Sequence, residues 1–399
     1  MHKLEKSLLI ESFRWKYHRS GKNTKGEILT EIEEKLGVHR KHAIRLLREA
    51  HKPKPRRKER RPRGRKSTYD EPEFLKALRG LWMITDQMGP RLLRKSIPSW
   101  LPGFEKKQGT ITTETRSKLL TISHATIERK LRGARAKIGK GRCGTKPGNM
   151  LRTEIPIRTD FWDVSQPGFV EADTVAHCGG SLMGDFIWSL TVTDIKTTWT
   201  ELRVTWNKGA HGVLEQIQDI EVHLPFELLG FDCDNGSEFL NHHLLKYFSD
   251  KRQRNKLFTF TRSRPYHKDD NAHVEQKNWS HARQLLGYER LGFEQLVKPL
   301  NELCANEFSL IKNHFYPTFK LDQKILVKTR HKRIYGDPVT PYERVLESPA
   351  VSTSIKERLR DLHQQLDPVE LQLTVRRKLK NIWTLLKALR QSHMSKMSA

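Results

Sequence analysis

Apolar positions along this chain change their spacing near residue 157, and upstream of that point the spacing is helical. From Lys25 to Ala50, Ile28, Ile32 and Leu36 recur at helical intervals, Gly37 interrupts, and a second pattern runs through Ala43, Ile44 and Leu47. The pattern predicts helix, tight turn, helix. The second helix, His39 to Arg48, buries one stripe and leaves Arg40, Lys41, Arg45 and Arg48 on its outer face. A further helical block has apolar residues at Phe74, Leu75, Leu78, Leu81 and Trp82, then at Leu92, Leu93, Ile97 and Trp100. It ends in another hairpin, where Lys118-Leu119-Leu120 leads to Ser123, a predicted N-cap, and to a basic helix from His124 to Arg132.

Downstream the period shortens. Phe169 to His177 and Phe186 to Ile195 read as strands, Trp199 to Trp206 alternates as a third, and Gly212 to Leu224 is an amphipathic helix. Leu228 to Asp234 is a fourth strand, Glu238 to Lys251 a helix, Leu257 to Thr261 a fifth strand, and Ala272 to Leu286 a helix. Three strands followed by alternating helix and strand predict a mixed sheet flanked by helices, an order that matches the ribonuclease H-like core. Phe293 to Phe315 reads as helical. Thr318 to Tyr335 is basic and strand-poor, forming either a small barrel or an arm. Ile355 to Arg390 carries an apolar stripe at Leu359, Leu362, Leu366, Leu379, Ile382, Leu385, Leu386 and Leu389, read as core packing or helix pairing.

The predicted fold class is therefore multidomain α and α/β. Residues 1–50 form a helix-turn-helix domain, 51–68 a basic linker, 69–137 a second helical domain and 138–156 another linker. Residues 157–290 form the ribonuclease H-like core, 291–345 a C-terminal extension and 346–399 a helical tail.

Charge supplies a partner. Lysine and arginine outnumber aspartate and glutamate 74 to 46, for a net +28, which favours a polyanion, here double-stranded DNA. The hairpin helix with Arg40, Lys41, Arg45 and Arg48 suits a major groove, and His124, Arg129 and Lys130 present a second basic helix. Between them Lys52 to Lys66 holds prolines among basic residues, and Arg61, Arg63 and Arg65 suit a narrow minor groove. Cys143, Cys178, Cys233 and Cys304 include no C-x-x-C pair, which argues against a zinc module and a disulfide framework. No apolar run approaches the roughly 20 residues that span a bilayer, and the first residues lack a signal-peptide core. The expectation is a cytoplasmic, nucleoid-associated protein with no membrane partner.

Candidate chemistry lies in the carboxylates. Asp173 falls inside the first strand, Asp234 ends the fourth, and Glu275 begins the helix after the fifth. Neighbouring first and fourth strands bring Asp173 to Asp234, and the helix brings Glu275 across. Two unit charges about 4 Å apart repel by roughly 4 kcal/mol at an effective dielectric near 20, so three such carboxylates call for cations. Two Mg2+ ions, with Mn2+ as substitute, suit hard oxygen ligands and in-line displacement at a phosphodiester. Asp232 rivals Asp234, since residues two apart on a strand share a face. Glu238 reads as structural, an acid in the first turn of its helix, and Asn271 as the N-cap of the helix bearing Glu275. Asn278 and Arg283 on that helix are candidates for reaching DNA. His177, His267 and His273 read as ordinary surface histidines, and Asp185 and Asp194 as turn residues.

Asp173 in its strand, Phe231-Asp232-Cys233-Asp234-Asn235-Gly236-Ser237-Glu238-Phe239, and Arg262-Ser263-Arg264-Pro265-Tyr266 leading to Asn271-Ala272-His273-Val274-Glu275-Gln276-Lys277-Asn278 resemble the integrase catalytic core of bacterial insertion-sequence transposases. Retroviral integrases share that core more distantly. The resemblance covers roughly Pro167 to Tyr342 and implies a DDE transposase with Asp173, Asp234 and Glu275 as its metal-binding acids. Such an enzyme binds the inverted repeats of its element, frees 3′ hydroxyls at the ends and joins them to target DNA by transesterification. It works as a dimer or higher oligomer, in which the tail is expected to assist. Two features depart from the family: the interval from Asp234 to Glu275 is longer than usual, and helical hairpins replace the zinc-binding module of retroviral integrases. The alternatives are a DNA-binding regulator that does not cut and a structure-selective nuclease of the same fold.

Overall fold

The computed structural model describes residues 3–48, 68–136, 164–234, 236, 238–263, 274, 277–327 and 330–397. Both predicted linkers lie largely outside these residues, as do Arg61, Arg63, Arg65, His267, Asn271, His273 and Glu275. The chain divides into two compact units, one ending at Thr68 and the other starting at Tyr69.

The first unit has three helices, α1 (Lys3–Arg19), α2 (Lys22–Leu36) and α3 (Arg40–Arg48). Phe13 and Tyr17 from α1, Ile28, Leu29 and Ile32 from α2, and Ala43 and Leu47 from α3 form its core. Gly37 ends α2 at φ +61°, a left-handed conformation that costs a side chain about 1–2 kcal/mol, and its N–H donates to Glu33 O.

The second unit begins with α4 (Pro72–Ile84), α5 (Pro90–Gln108), α6 (Thr113–Thr121) and α7 (His124–Arg135). Ser123 caps α7, its hydroxyl accepting from Thr126 N. A five-stranded sheet follows: β1 (Phe169–Ala176), β2 (Ile187–Asp194), β3 (Thr200–Trp206), β4 (Gly230–Cys233) and β5 (Thr259–Arg262), in spatial order β3-β2-β1-β4-β5. The first three pair antiparallel, and β4 runs parallel to both β1 and β5. Order and directions are those expected of a ribonuclease H-like sheet.

Alternation along the strands sorts side chains between two layers. Val170 and Ala172 of β1 and Phe231 and Cys233 of β4 pack with Val213, Ile217 and Ile220 of α8 (Ala210–His223) and with Leu244 and Phe248 of α9 (His242–Arg254). On the opposite layer, Val175, Ile187, Leu202 and Val204 join a cluster with Ala282, Leu285, Leu300 and Phe308. That layer is a helical run: a π-helical segment (Asn278–Arg283), α10 (Val297–Leu303), a π turn (Cys304–Phe308) and α11 (Ser309–Phe315). The predicted continuous helix from Ala272 to Leu286 is therefore underwound within its described part, as a π-helical segment.

Strand β3 is a sheet edge, and two asparagines satisfy backbone groups along it. Asn301 Nδ2 donates to Val204 O at 2.8 Å while its Oδ1 accepts from Val204 N at 2.7 Å. Asn313 repeats the device at Thr200, at 3.0 and 2.9 Å. Capping by side-chain amides leaves these strand groups nothing to offer another chain.

The C-terminal region contains β6 (Leu321–Val327), β7 (Arg330–Tyr335), α12 (Pro341–Glu347), α13 (Thr353–Gln365) and α14 (Pro368–Met397). The segment read as strand-poor is an antiparallel strand pair. Ile325, Val327 and Ile334 favour extended backbone, and two strands close no barrel. Val369, Val375, Ile382 and Leu386 of α14 are buried in the cluster that holds Phe74, Leu78, Leu93, Ile97 and Trp100 of α4 and α5. Trp100 Nε1 also donates to Phe315 O at 3.4 Å. The tail's apolar stripe thus packs on its own chain, and α4–α7, set apart as a module by the sequence, share one core with the helices behind the sheet.

Candidate active site

The parallel pairing of β1 with β4 builds the site. Its register places Glu171 beside Asp232 and Ala172 beside Cys233. One further step sets Asp173 beside Asp234 where β4 ends. Odd positions on β1 and even positions on β4 share a face, so Glu171, Asp173, Asp232 and Asp234 lie on the layer of the π segment.

Local bonds fix both outer acids. Asp173 Oδ1 accepts from Thr174 N at 2.7 Å, and Asp173 Oδ2 accepts from Asn278 Nδ2 at 2.5 Å. Asp234 Oδ1 accepts from Gly236 N at 2.9 Å, which folds the chain back at the strand exit. A Cβ at Gly236 would stand 2.4 Å from a Glu238 carboxylate oxygen, so a side chain there would push that carboxylate off Thr174 and Lys208. Burial, then the charge of Asp234, raises the Asp173 carboxyl from 3.8 to about 7. Burial, then the charge of Glu238, raises Asp234 to about 6. Two carboxylates that hold protons near neutrality mark concentrated negative charge with too few cations.

The inner acid Asp232 is fully buried and accepts from Thr261 Oγ1 at 2.5 Å, while the buried Glu171 Oε2 accepts from Val274 N at 3.2 Å. Between Asp232 and Asp234, the position at the strand end has the access a substrate requires. Cys233 points into the opposite core, where burial and neighbouring acids push its thiol well above the usual range.

Glu238 has a structural role, but not the predicted one in the first turn of its helix. Helix α9 starts at His242, with Asn241 as N-cap accepting from Leu244 N, so Glu238 precedes the helix rather than opening it. Phe239 and Leu240 are buried instead of lying on a helix face. Glu238 accepts from Thr174 Oγ1 at 2.6 Å and pairs with Lys208 at 2.7 Å. Lys208 lies over the Trp188 ring, 4.8 Å from its centroid. Thr174, Lys208 and Glu238 form a second support beside the acid pair that the sequence reading missed. Lys208 follows β3 in Asn207-Lys208-Gly209, and its partner is a tertiary contact that no local pattern announces.

Other candidates separate by their bonds. Asn278 reaches Asp173 itself rather than solvent. Arg283 is half-buried, donates to Gly287 O at 3.5 Å and lies over Tyr288. His177 is buried rather than a surface histidine, bonded to Ser189 Oγ at 3.0 Å and pushed down to about 3 by burial and then by Arg283. Asp194 does organise a turn, accepting from Gly168 N, Thr197 N and Thr197 Oγ1. In the first unit, Lys41, Arg45 and Arg48 are exposed, whereas Arg40 turns back onto α2 and donates to Glu33 Oε2, Thr30 Oγ1 and Gly26 O. In the second, His124 is exposed, Arg129 donates to Thr126 Oγ1, and Lys130 pairs with Asp70.

Among the described residues no group of three or more His, Cys, Asp or Glu side chains is placed to hold a metal ion. The donor set that is described still fits a hard cation. It consists of two adjacent carboxylates raised in proton affinity by burial and like charge, beside the buried Asn278 Oδ1, which has no partner among the described residues.

No family model matches the chain. Among solved structures, the catalytic core domain of BIV integrase in crystal form I is similar at a TM-score of 0.26 and 18% identity, over 45% of this chain and 95% of that one. Uncharacterized protein y4rM of Sinorhizobium fredii (strain NBRC 101917 / NGR234) is 35% identical over 340 residues, 84% of this chain and 93% of that protein. With identity extending over nearly the whole of both proteins, the chain belongs to the family of y4rM.

Proposed function

We propose that this protein is a DDE transposase, which binds the ends of a mobile element, frees their 3′ hydroxyls and joins them to target DNA. The observation that carries the reading is Asp173 beside Asp234 where β4 ends its pairing with β1, both carboxyls raised by burial and neighbouring negative charge. In this reading Asp173 and Asp234 hold Mg2+, with Glu275 as the third acid. When bound, the cation activates the attacking oxygen and steadies the leaving oxygen of an in-line displacement.

The chain's own groups do the rest. Asn278 fixes the rotamer of Asp173 by its 2.5 Å bond, and Gly236 N does the same for Asp234. Lys208 pairs with Glu238 beside the acids and offsets part of the charge that Glu238 places on Asp234. Lys41, Arg45 and Arg48 give the first unit a basic helix face for the DNA backbone and major groove. Concerted cutting of two ends requires at least two protomers.

The test uses supercoiled DNA that carries the sequences flanking the gene. Wild type is expected to nick it with Mg2+ and not with EDTA, leaving 3′ hydroxyls, while Asp173→Asn binds the same DNA without nicking. Nicking by Asp173→Asn at the wild-type rate would reject the assignment.

A further inference from the structure

Behind the π segment, on the side away from the sheet, lies a cavity of about 340 Å3. It is walled by the end of α4 and the turn after it, the π segment and its continuation, Phe308 and Lys312, and α14. The volume is at the lower end of the roughly 300–1,000 Å3 typical of small-molecule sites. The turn residues Asp86 and Gln87 hold φ of 50° and 61°, a left-handed backbone that non-glycine residues keep only where the surroundings enforce it.

Charges in the cavity wall are unequally satisfied. Asp86 is fully engaged, accepting from Arg376 Nη2 at 3.0 Å, Gln372 Nε2 at 3.0 Å and Tyr316 Oη at 3.2 Å. Arg376 in turn also donates to Met83 O at 2.5 Å. Lys312 is different: 7% exposed, it has no hydrogen-bond acceptor or ion-pair partner among the described residues. Its ammonium rests over two aromatic faces, 4.0 Å from the Tyr316 centroid and 5.3 Å from that of Phe308. Aromatic faces recover part of the desolvation cost of a cation but accept none of its three N–H bonds. Burial presses the amine down to about 8, and the charge of Asp86 opposes this, so it remains mostly protonated at neutral pH. A largely buried lysine whose ammonium opens to a cavity of mixed polar and apolar lining, with no acceptor among the described residues, is a half-made ion pair.

We propose that this cavity binds a small organic anion, its carboxylate, sulfonate or phosphate group accepting from Lys312 and its flat apolar body lying against Leu285, Phe308 and Val375.

The probe is 1-anilinonaphthalene-8-sulfonate, an anion with a flat apolar body, titrated into the full-length protein. One saturable site is expected, weakened at least tenfold in Lys312→Met and lost in Val375→Trp, which fills the cavity and keeps the amine. A second measurement needs no variant: mild acetylation mapped by mass spectrometry, with the probe protecting Lys312 in the wild-type chain. Equal affinity in Lys312→Met, or equal acetylation of Lys312 with and without probe, overturns the proposal.

Discussion

Replacing Asp234 with asparagine is expected to stabilise the metal-free protein, and to do so only above a definable pH. Raising this carboxyl from 3.8 to about 6 makes its ionised form about 3 kcal/mol less favourable in the folded chain, at about 1.4 kcal/mol per tenfold. Because the folded value lies above the unfolded one, the favourable contribution is fully present below about pH 4 and disappears as pH rises through about 6. At pH 8 the wild-type chain therefore carries the whole penalty. The substituted asparagine is neutral at every pH, and its side-chain oxygen can still accept from Gly236 N. The assay is urea unfolding in EDTA at pH 4.5, 6 and 8. The variant should gain about 3 kcal/mol at pH 8, less at pH 6 and little at pH 4.5. Adding Mg2+ at pH 8 should reverse the order once it is in large excess, since a ligand at about a thousand times its dissociation constant stabilises the wild type by about 4.1 kcal/mol. A variant that is less stable at pH 8, or a difference independent of pH, would refute the electrostatic account of the site.

Further outcomes follow from the same site and from other parts of the structure. Asn278→Ala removes the 2.5 Å donor to Asp173 and should slow Mg2+-dependent nicking about 10–100-fold with DNA affinity intact; a rate unchanged in single-turnover kinetics would show the bond to be incidental. Leu386→Ala opens a hole where α14 meets the buried cluster, with Leu386 only 1% exposed, and should cost about 2–5 kcal/mol in urea unfolding; a loss below about 1 kcal/mol would mean that α14 is loosely held. Changing Lys41 and Arg48 to alanine together should weaken binding to element-end DNA and lower the log-log salt slope by about 2. Arg40→Ala, which loses bonds to α2, should destabilise the first unit while leaving that slope unchanged.

Much of the sheet was legible because buried strands declare themselves by short apolar runs. Val170, Ala172, Phe231 and Cys233 alternate with acids, and that alternation alone places Asp173 and Asp234 on one face. Glu238 was misplaced because an acid before an apolar pair resembles a first helical turn. The better signal lay three residues on, where Asn241 is a strong N-cap and does cap α9. The strand pair at 321–335 was hidden because lysine and arginine interrupt the alternation that marks a half-buried strand. Tertiary partners had no local signature. Asn301 and Asn313 satisfy an edge strand about a hundred residues upstream, and the stripe on α14 could not say whether it faces a second protomer or Trp100 and its neighbours. Nothing in the sequence sets Lys312 apart; packing shows it largely buried over two rings.

The central claim is that the acid pair transfers DNA strands, and joining tests it most directly. A labelled duplex ending in the element's own terminal sequence, already cut to a 3′ hydroxyl, is incubated with plasmid, Mg2+ and either wild-type protein or Asp234→Asn. Covalent transfer of the label into plasmid by the wild type alone is the predicted result. No transfer by the wild type on a duplex it binds, or equal transfer by Asp234→Asn, would contradict the account.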